Sequence, residues 1–172
     1  MKKELIKSIK EWGFIVLIAL VISIIISQFV QVVTVSGQSM KNTLNDSDKL
    51  VMSKIAYKNH KPKYKDIVII QRKDKLIVKR VIGEPGDKVE IIDNKVYING
   101  NELIENYINE DDKMNNCPEI KVTLNDDEIF VMGDNRNHSL DSRDSRVGVI
   151  NYKKDVVGKI VFRVFPMSHL DV

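Results

Sequence analysis

Three polar stretches hold side chains that could do chemistry together. The first, Val35-Ser36-Gly37-Gln38-Ser39-Met40-Lys41, is a glycine-bearing turn set directly after a long uncharged apolar run, and Ser39 is its candidate nucleophile. A serine hydroxyl attacks a carbonyl only when a base takes its proton and donors hold the developing oxyanion, so its partners must lie elsewhere. Alone, Ser39 also reads as a turn hydroxyl capping a backbone amide. The second stretch runs from Lys79 to Asp87. Strand alternation across Leu76-Ile77-Val78-Lys79-Arg80-Val81-Ile82 puts Ile77, Lys79 and Val81 on one face and Leu76, Val78, Arg80 and Ile82 on the other. Both faces are apolar, so at least one cation shares a buried surface, and a desolvated lysine has the lowered pKa of a general base. Periodicity leaves a second reading open, an edge strand whose Lys79 and Arg80 snorkel to water. The third stretch, Gly133-Asp134-Asn135-Arg136-Asn137-His138-Ser139-Leu140-Asp141-Ser142-Arg143, combines turn residues, hydroxyls and an acid followed by a base.

In order and spacing these stretches resemble the motifs of type I signal peptidases, membrane-anchored Ser/Lys proteases that remove signal peptides from exported preproteins. The resemblance extends from the N-terminal anchor to about Val164. Its most specific part is the Gly-Asp-Asn-Arg run followed by Ser139, Asp141, Ser142 and Arg143. It implies that Ser39 is the nucleophile and Lys79 the base. Met40 would line the site, Ser139 would hydrogen-bond the lysine, and Asp141 with Arg143 would form a structural ion pair. It also implies an acyl-enzyme, no metal or organic cofactor, and substrates with small residues at the first and third positions before the cut. Gly37 stands where some relatives have a serine that helps the oxyanion hole, so here the hole relies on backbone N–H groups, including that of Ser39. Asn42 replaces a usual proline, and Lys65 stands where glycine is common. His60, His138 and His169 match no family role, which argues against a Ser/His/Asp site. Asn125-Asp126-Asp127-Glu128 lacks the spacing and glycine of an EF-hand, and the lone Cys117 argues against zinc.

The elements that must position these residues follow from the pattern. Between Glu11 and Lys41 no charged residue occurs, and Phe14–Val30, with Trp12 as interfacial anchor, approaches a membrane span. A cleavable signal peptide would share the basic start, but the apolar run exceeds the usual h-region and no Ala-x-Ala site follows. We therefore expect a cytoplasmic N-terminus over 1–11, a retained anchor over 12–31 and an extracytoplasmic β-rich protease domain over 32–172. Lys2, Lys3, Lys7 and Lys10 keep the N-terminus inside by the positive-inside rule. Beyond the anchor, short β-rich runs separated by Gly, Pro, Asn and Asp predict strands over Val30–Val35, Lys49–Lys54, Asp66–Gln71, Lys75–Ile82, Lys88–Ile92, Lys95–Ile98, Lys121–Leu124, Ile129–Met132 and Val156–Phe165. Asp93-Asn94 and Asn99-Gly100 are hairpin-turn signals, and Ile104–Glu119 reads as an irregular excursion. The expected fold is mainly β, a folded antiparallel sheet or barrel-like domain behind one helix.

With 43% hydrophobic and 30% charged residues, 172 residues suit one cored domain plus a membrane segment. The net charge of +3 hides two opposed regions. Residues 49–80 carry eleven Lys or Arg against Asp66 and Asp74, whereas residues 101–128 carry nine acids against Lys113 and Lys121. The basic region alternates with apolar residues and lacks interleaved aromatics, which argues against a nucleic-acid partner. Its lysines fit either anionic membrane lipid or a solvated strand face. Two other functions share parts of this pattern. A self-cleaving Ser/Lys repressor domain is disfavoured by the anchor standing where a DNA-binding module would be. In a membrane-tethered β binding module the serine would be inert.

Overall fold

The computed structural model describes residues 2–41, 43–72 and 75–167. Asn42 and His169 lie outside the described residues. Helix α1 (Lys2–Phe29) opens the chain. Its segment Trp12–Phe29 is 18 residues long, uncharged, unburied by the rest of the chain, and long and apolar enough to cross a membrane. The helix ends at Phe29, and Val30–Thr34 continues directly as strand β1 without a linker. Its last turn is tied to the domain. Lys54 N donates to Phe29 O at 2.8 Å and Lys54 Nζ to Ser27 O at 3.1 Å, a cation at the negative end of the helix dipole.

The remaining strands are β2 (Lys49–Ser53), β3 (Ile67–Arg72), β4 (Lys75–Gly83), β5 (Lys88–Ile92), β6 (Lys95–Ile98), β7 (Asn101–Glu102), β8 (Ile120–Thr123), β9 (Glu128–Met132), β10 (Ile150–Asn151) and β11 (Val156–Phe165). They form two antiparallel sheets, one of seven strands in the order β1-β2-β11-β3-β4-β9-β10 and one of four in the order β7-β6-β5-β8. The protein is thus mainly β, as expected. The expected strands over Asp66–Gln71 and Lys121–Leu124 are each displaced by one residue. Strands β7 and β10, and the single helical turn α2 (Tyr152–Asp155), were not expected, because elements this short carry no readable period. The excursion over Ile104–Glu119 contains only a 3₁₀ turn at Glu110–Asp112.

The uninterrupted apolar run Ile67-Val68-Ile69-Ile70 marks a strand covered on both faces. Ile67 and Ile69 join Val35, Met40, Leu44, Leu50, Met52 and Ile160 in one cluster, while Val68 and Ile70 join Val81, Ile129, Val131, Ile150 and Tyr152 in another. Strand β4 lies beside β3 in register, Val68 opposite Lys79 and Ile67 opposite Arg80. That register carries both cations into the interior. A third cluster, built on Val89, Ile91, Val96, Leu124 and Phe130, underlies the four-stranded sheet. At the two expected turns, Asp93 and Asn94 (φ 49° and 62°) and Asn99 and Gly100 (φ 53° and 84°) take the left-handed backbone that a two-residue hairpin needs.

Candidate active site

Ser39 sits in the loop between β1 and β2. Val35 N bonds Asp48 O at 2.9 Å and Ser47 N bonds Val35 O at 3.0 Å, closing the base of the loop. At its tip, Leu44 N donates to Met40 O at 2.7 Å, and Gly37, at φ +99°, bends the chain into a conformation that a Cβ would strain. Met40 is buried in the cluster beneath the loop and also lines the groove above it, so one side chain fastens the loop and shapes the site.

Lys79 Nζ lies 2.6 Å from Ser39 Oγ, in hydrogen-bond contact, and the lysine is only 3% exposed. Burial pulls its amine down from 10.5 to about 8; Asp141 opposes that shift, Arg143 reinforces it, and Asp134 opposes it again. The snorkelling alternative therefore fails for Lys79, and equally for its neighbour. Arg80 is fully buried and holds Asp134 through two bonds, Nε to Oδ1 at 2.9 Å and Nη2 to Oδ2 at 2.8 Å. Asp134 accepts a further bond from Thr43 Oγ1 at 2.5 Å, so the ion pair grips the far side of the Ser39 loop.

The third motif packs against the same loop. Asn135 N donates to Ser39 O at 3.1 Å and Asn135 Nδ2 to Gln38 O at 3.1 Å. Gly133 allows this approach, since a Cβ there would meet Ser39 O at 2.4 Å and Ser139 Oγ at 2.2 Å. Asp141 is fully buried; it accepts from Gly133 N at 3.0 Å and from Arg143 Nε and Nη2, each at 2.8 Å. Burial alone would raise its pKa, but Arg143 and the Gly133 amide outweigh it and hold the carboxyl below the usual range. Ser139 Oγ is buried and, among the described residues, makes no hydrogen bond to Lys79 of the kind the resemblance implies; it lies beside Asp141, whose carboxyl it also helps to hold low. His138 is exposed and its Nδ1 meets Asn135 Oδ1 at 3.1 Å rather than a serine.

Sequence reasoning missed part of the frame. Arg80 stacks on the Tyr107 ring, 4.1 Å from its centroid. Tyr107 OH bonds Glu105, which pairs with the buried Arg136 at 2.6 and 2.5 Å, and Arg136 Nε bonds Gly133 O at 3.1 Å. This chain of contacts ties the irregular excursion to the site. The buried Arg80 was signalled by its apolar neighbours; Glu105 and Tyr107, in a segment without periodicity, gave no signal.

A groove of about 150 Å³ leads to Ser39 and Lys79, walled by Val33, Thr34 and Val35 on one side and Leu76, Ile77 and Val78 on the other. Among the described residues, both walls offer strand edges that no other strand pairs. Strand β1 ends the seven-stranded sheet, and β4 pairs with β9 only from Arg80 onward.

The chain matches the family model described as signal peptidase, peptidase S26, over residues 9–165. It is 37% identical to a signal peptidase I P of Bacillus subtilis subsp. natto over 175 residues, covering 95% of this chain and 92% of the relative. It is 34% identical to signal peptidase IB of Staphylococcus aureus strain Mu50 over 185 residues, covering 98% and 93%. A solved signal peptidase I from Enterococcus faecalis V583 aligns at 30% identity and a TM-score of 0.49, over 59% of this chain and 98% of its own.

Proposed function

Because this chain belongs to the signal peptidase, peptidase S26, family, we propose that Ser39 and Lys79 act as a Ser/Lys dyad that cuts signal peptides from exported preproteins. The carrying observation is the buried Lys79 amine 2.6 Å from the Ser39 hydroxyl. A neutral amine accepts the Ser39 proton as Oγ attacks the scissile carbonyl, and the resulting ammonium returns a proton to the leaving amine as the acyl ester forms. That amine is the new N-terminus of the mature protein; Lys79 then deprotonates the water that hydrolyses the ester and frees the signal peptide. The Ser39 N–H donates to nothing among the described residues and is free to meet the oxyanion.

The substrate enters as an extended strand between β1 and β4, pairing with their open edges. The groove's small volume supports small side chains at the first and third positions before the cut. The lysines ahead of the anchor support a cytoplasmic N-terminus and an outward-facing domain. Exposed Val32 and Phe162, which flank Val51 in the sheet, together with Lys49 and Lys54, rest against membrane lipid beside the anchor.

Cleavage of a preprotein by purified enzyme tests the chemistry. Lys79→Arg keeps the charge but offers no base at accessible pH, so it should fold and lose at least about a thousandfold in rate, as should Ser39→Ala. A folded Lys79→Arg enzyme with substantial cleavage removes Lys79 from the mechanism. For orientation, protease added to intact spheroplasts should digest the β domain; full protection until lysis would reverse the topology.

A further inference from the structure

We propose that Arg143 is a positioning residue for the charge of the dyad: by occupying both oxygens of Asp141, it keeps that carboxylate from holding Lys79 in its protonated form. The inference rests on the dyad reading and goes beyond the structural role that the resemblance implies for this ion pair. Two carboxylates bear on Lys79, Asp141 and Asp134, and each is matched by an arginine. Asp134 is taken up by Arg80, whose own strand position next to Lys79 makes that pairing part of the sheet. Asp141 depends on Arg143, two residues along the same loop.

The geometry sets this carboxylate behind the dyad. Asp141 is completely buried, so its charge is poorly screened by water, and it bonds the amide of Gly133. Gly133 lies against both the Ser39 carbonyl and the Ser139 hydroxyl, which sets the carboxylate one residue away from the nucleophile loop. A buried carboxylate is costly unless a cation compensates it. If Arg143 did not supply one, the Lys79 ammonium would, and a lysine held as an ammonium cannot accept a proton from Ser39. The Arg143 side chain is 12% exposed and is braced by donating Nη2 to Arg136 O at 2.6 Å, so its guanidinium is fixed in position.

The test is the pH profile of preprotein cleavage by full-length enzyme. The parent's rate should rise with pH through a midpoint near the Lys79 value of about 8. Arg143→Gln should move that midpoint up by about one pH unit or more, giving a roughly tenfold loss at neutral pH that is recovered in alkali. Arg143→Lys should restore the parent midpoint. Asp141→Asn, which removes the pull itself, should move the midpoint down, and it decides the question if Arg143→Gln does not fold. A purely structural role would lower the rate equally at every pH; an unmoved midpoint in a folded Arg143→Gln or Asp141→Asn enzyme overturns the proposal. A parent with no alkaline-rising limb would instead count against the dyad itself, so the two failures are distinguishable.

Discussion

The two sheets handle charge in opposite ways. In the four-stranded sheet each ion pair reaches water through its lysine, 56% exposed in Lys95–Glu102 and 54% in Lys88–Glu90, and the cluster beneath it is apolar. In the seven-stranded sheet and its loops, Lys79, Arg80, Asp134, Arg136 and Asp141 are all 3% exposed or less. Surface pairs add little stability, and buried pairs often add no more than hydrophobic residues of the same shape would. Fold stability therefore does not account for this concentration of charge around Ser39. Position does: these buried pairs fix segments that touch the Ser39 loop, Asp134 through Thr43 and Asp141 through Gly133.

That contrast can be broken by cutting one member of a buried pair. Asp134→Ala leaves Arg80 without its carboxylate and Thr43 without its acceptor. It should destabilise the protein by about 3–5 kcal/mol in denaturant unfolding and slow cleavage even where the chain remains folded. A loss below about 1 kcal/mol would mean that Arg80 is served by water or another acceptor, and the positioning argument would fall.

The matching cut in the other sheet sharpens the comparison. Ile91 is fully buried in an apolar cluster, and Ile91→Ala should cost about 2–5 kcal/mol. Compared at equal folded fraction, its cleavage rate should equal the parent's. If Ile91→Ala slows the folded enzyme as much as Asp134→Ala does, the sheets are not divided into support and site.

How far these features could be read beforehand depended on whether the signal was local. The central strand β3 and the Asp93-Asn94 turn follow from neighbouring residues alone, because burial on two faces and a left-handed turn each leave a short-range pattern. Lys79 was half legible. Its apolar neighbours showed that a cation would be buried, but only the motif resemblance connected it to Ser39, forty residues away. The tie from Tyr107 and Glu105 to Arg80 and Arg136 joins a patternless loop to distant strands, and nothing in its own spacing records it. That Ser139 does not bond Lys79 was hidden for a related reason: a motif fixes which residues meet, while rotamer and local packing decide which bond is made.

The last test isolates what the buried lysine does to stability. An unfolded chain holds the Lys79 proton up to its ordinary value of 10.5, whereas the folded protein releases it near 8 because burial disfavours the ammonium. Between these values the unfolded state binds the extra proton, so the parent's stability rises with pH across that window. Below pH 8 the full penalty applies, about 3 kcal/mol for a shift of this size. Lys79→Met keeps a similar apolar stem and removes the ionisable group. It should be the more stable protein at pH 7 by up to about 3 kcal/mol, with the difference closing as pH climbs from 8 to 10.5. Unfolding both proteins in urea across that range measures the gap directly, and groups common to the two chains cancel. A gap that stays constant would mean that Lys79 titrates alike in the folded and unfolded states, and a neutral amine at working pH would lose its physical basis.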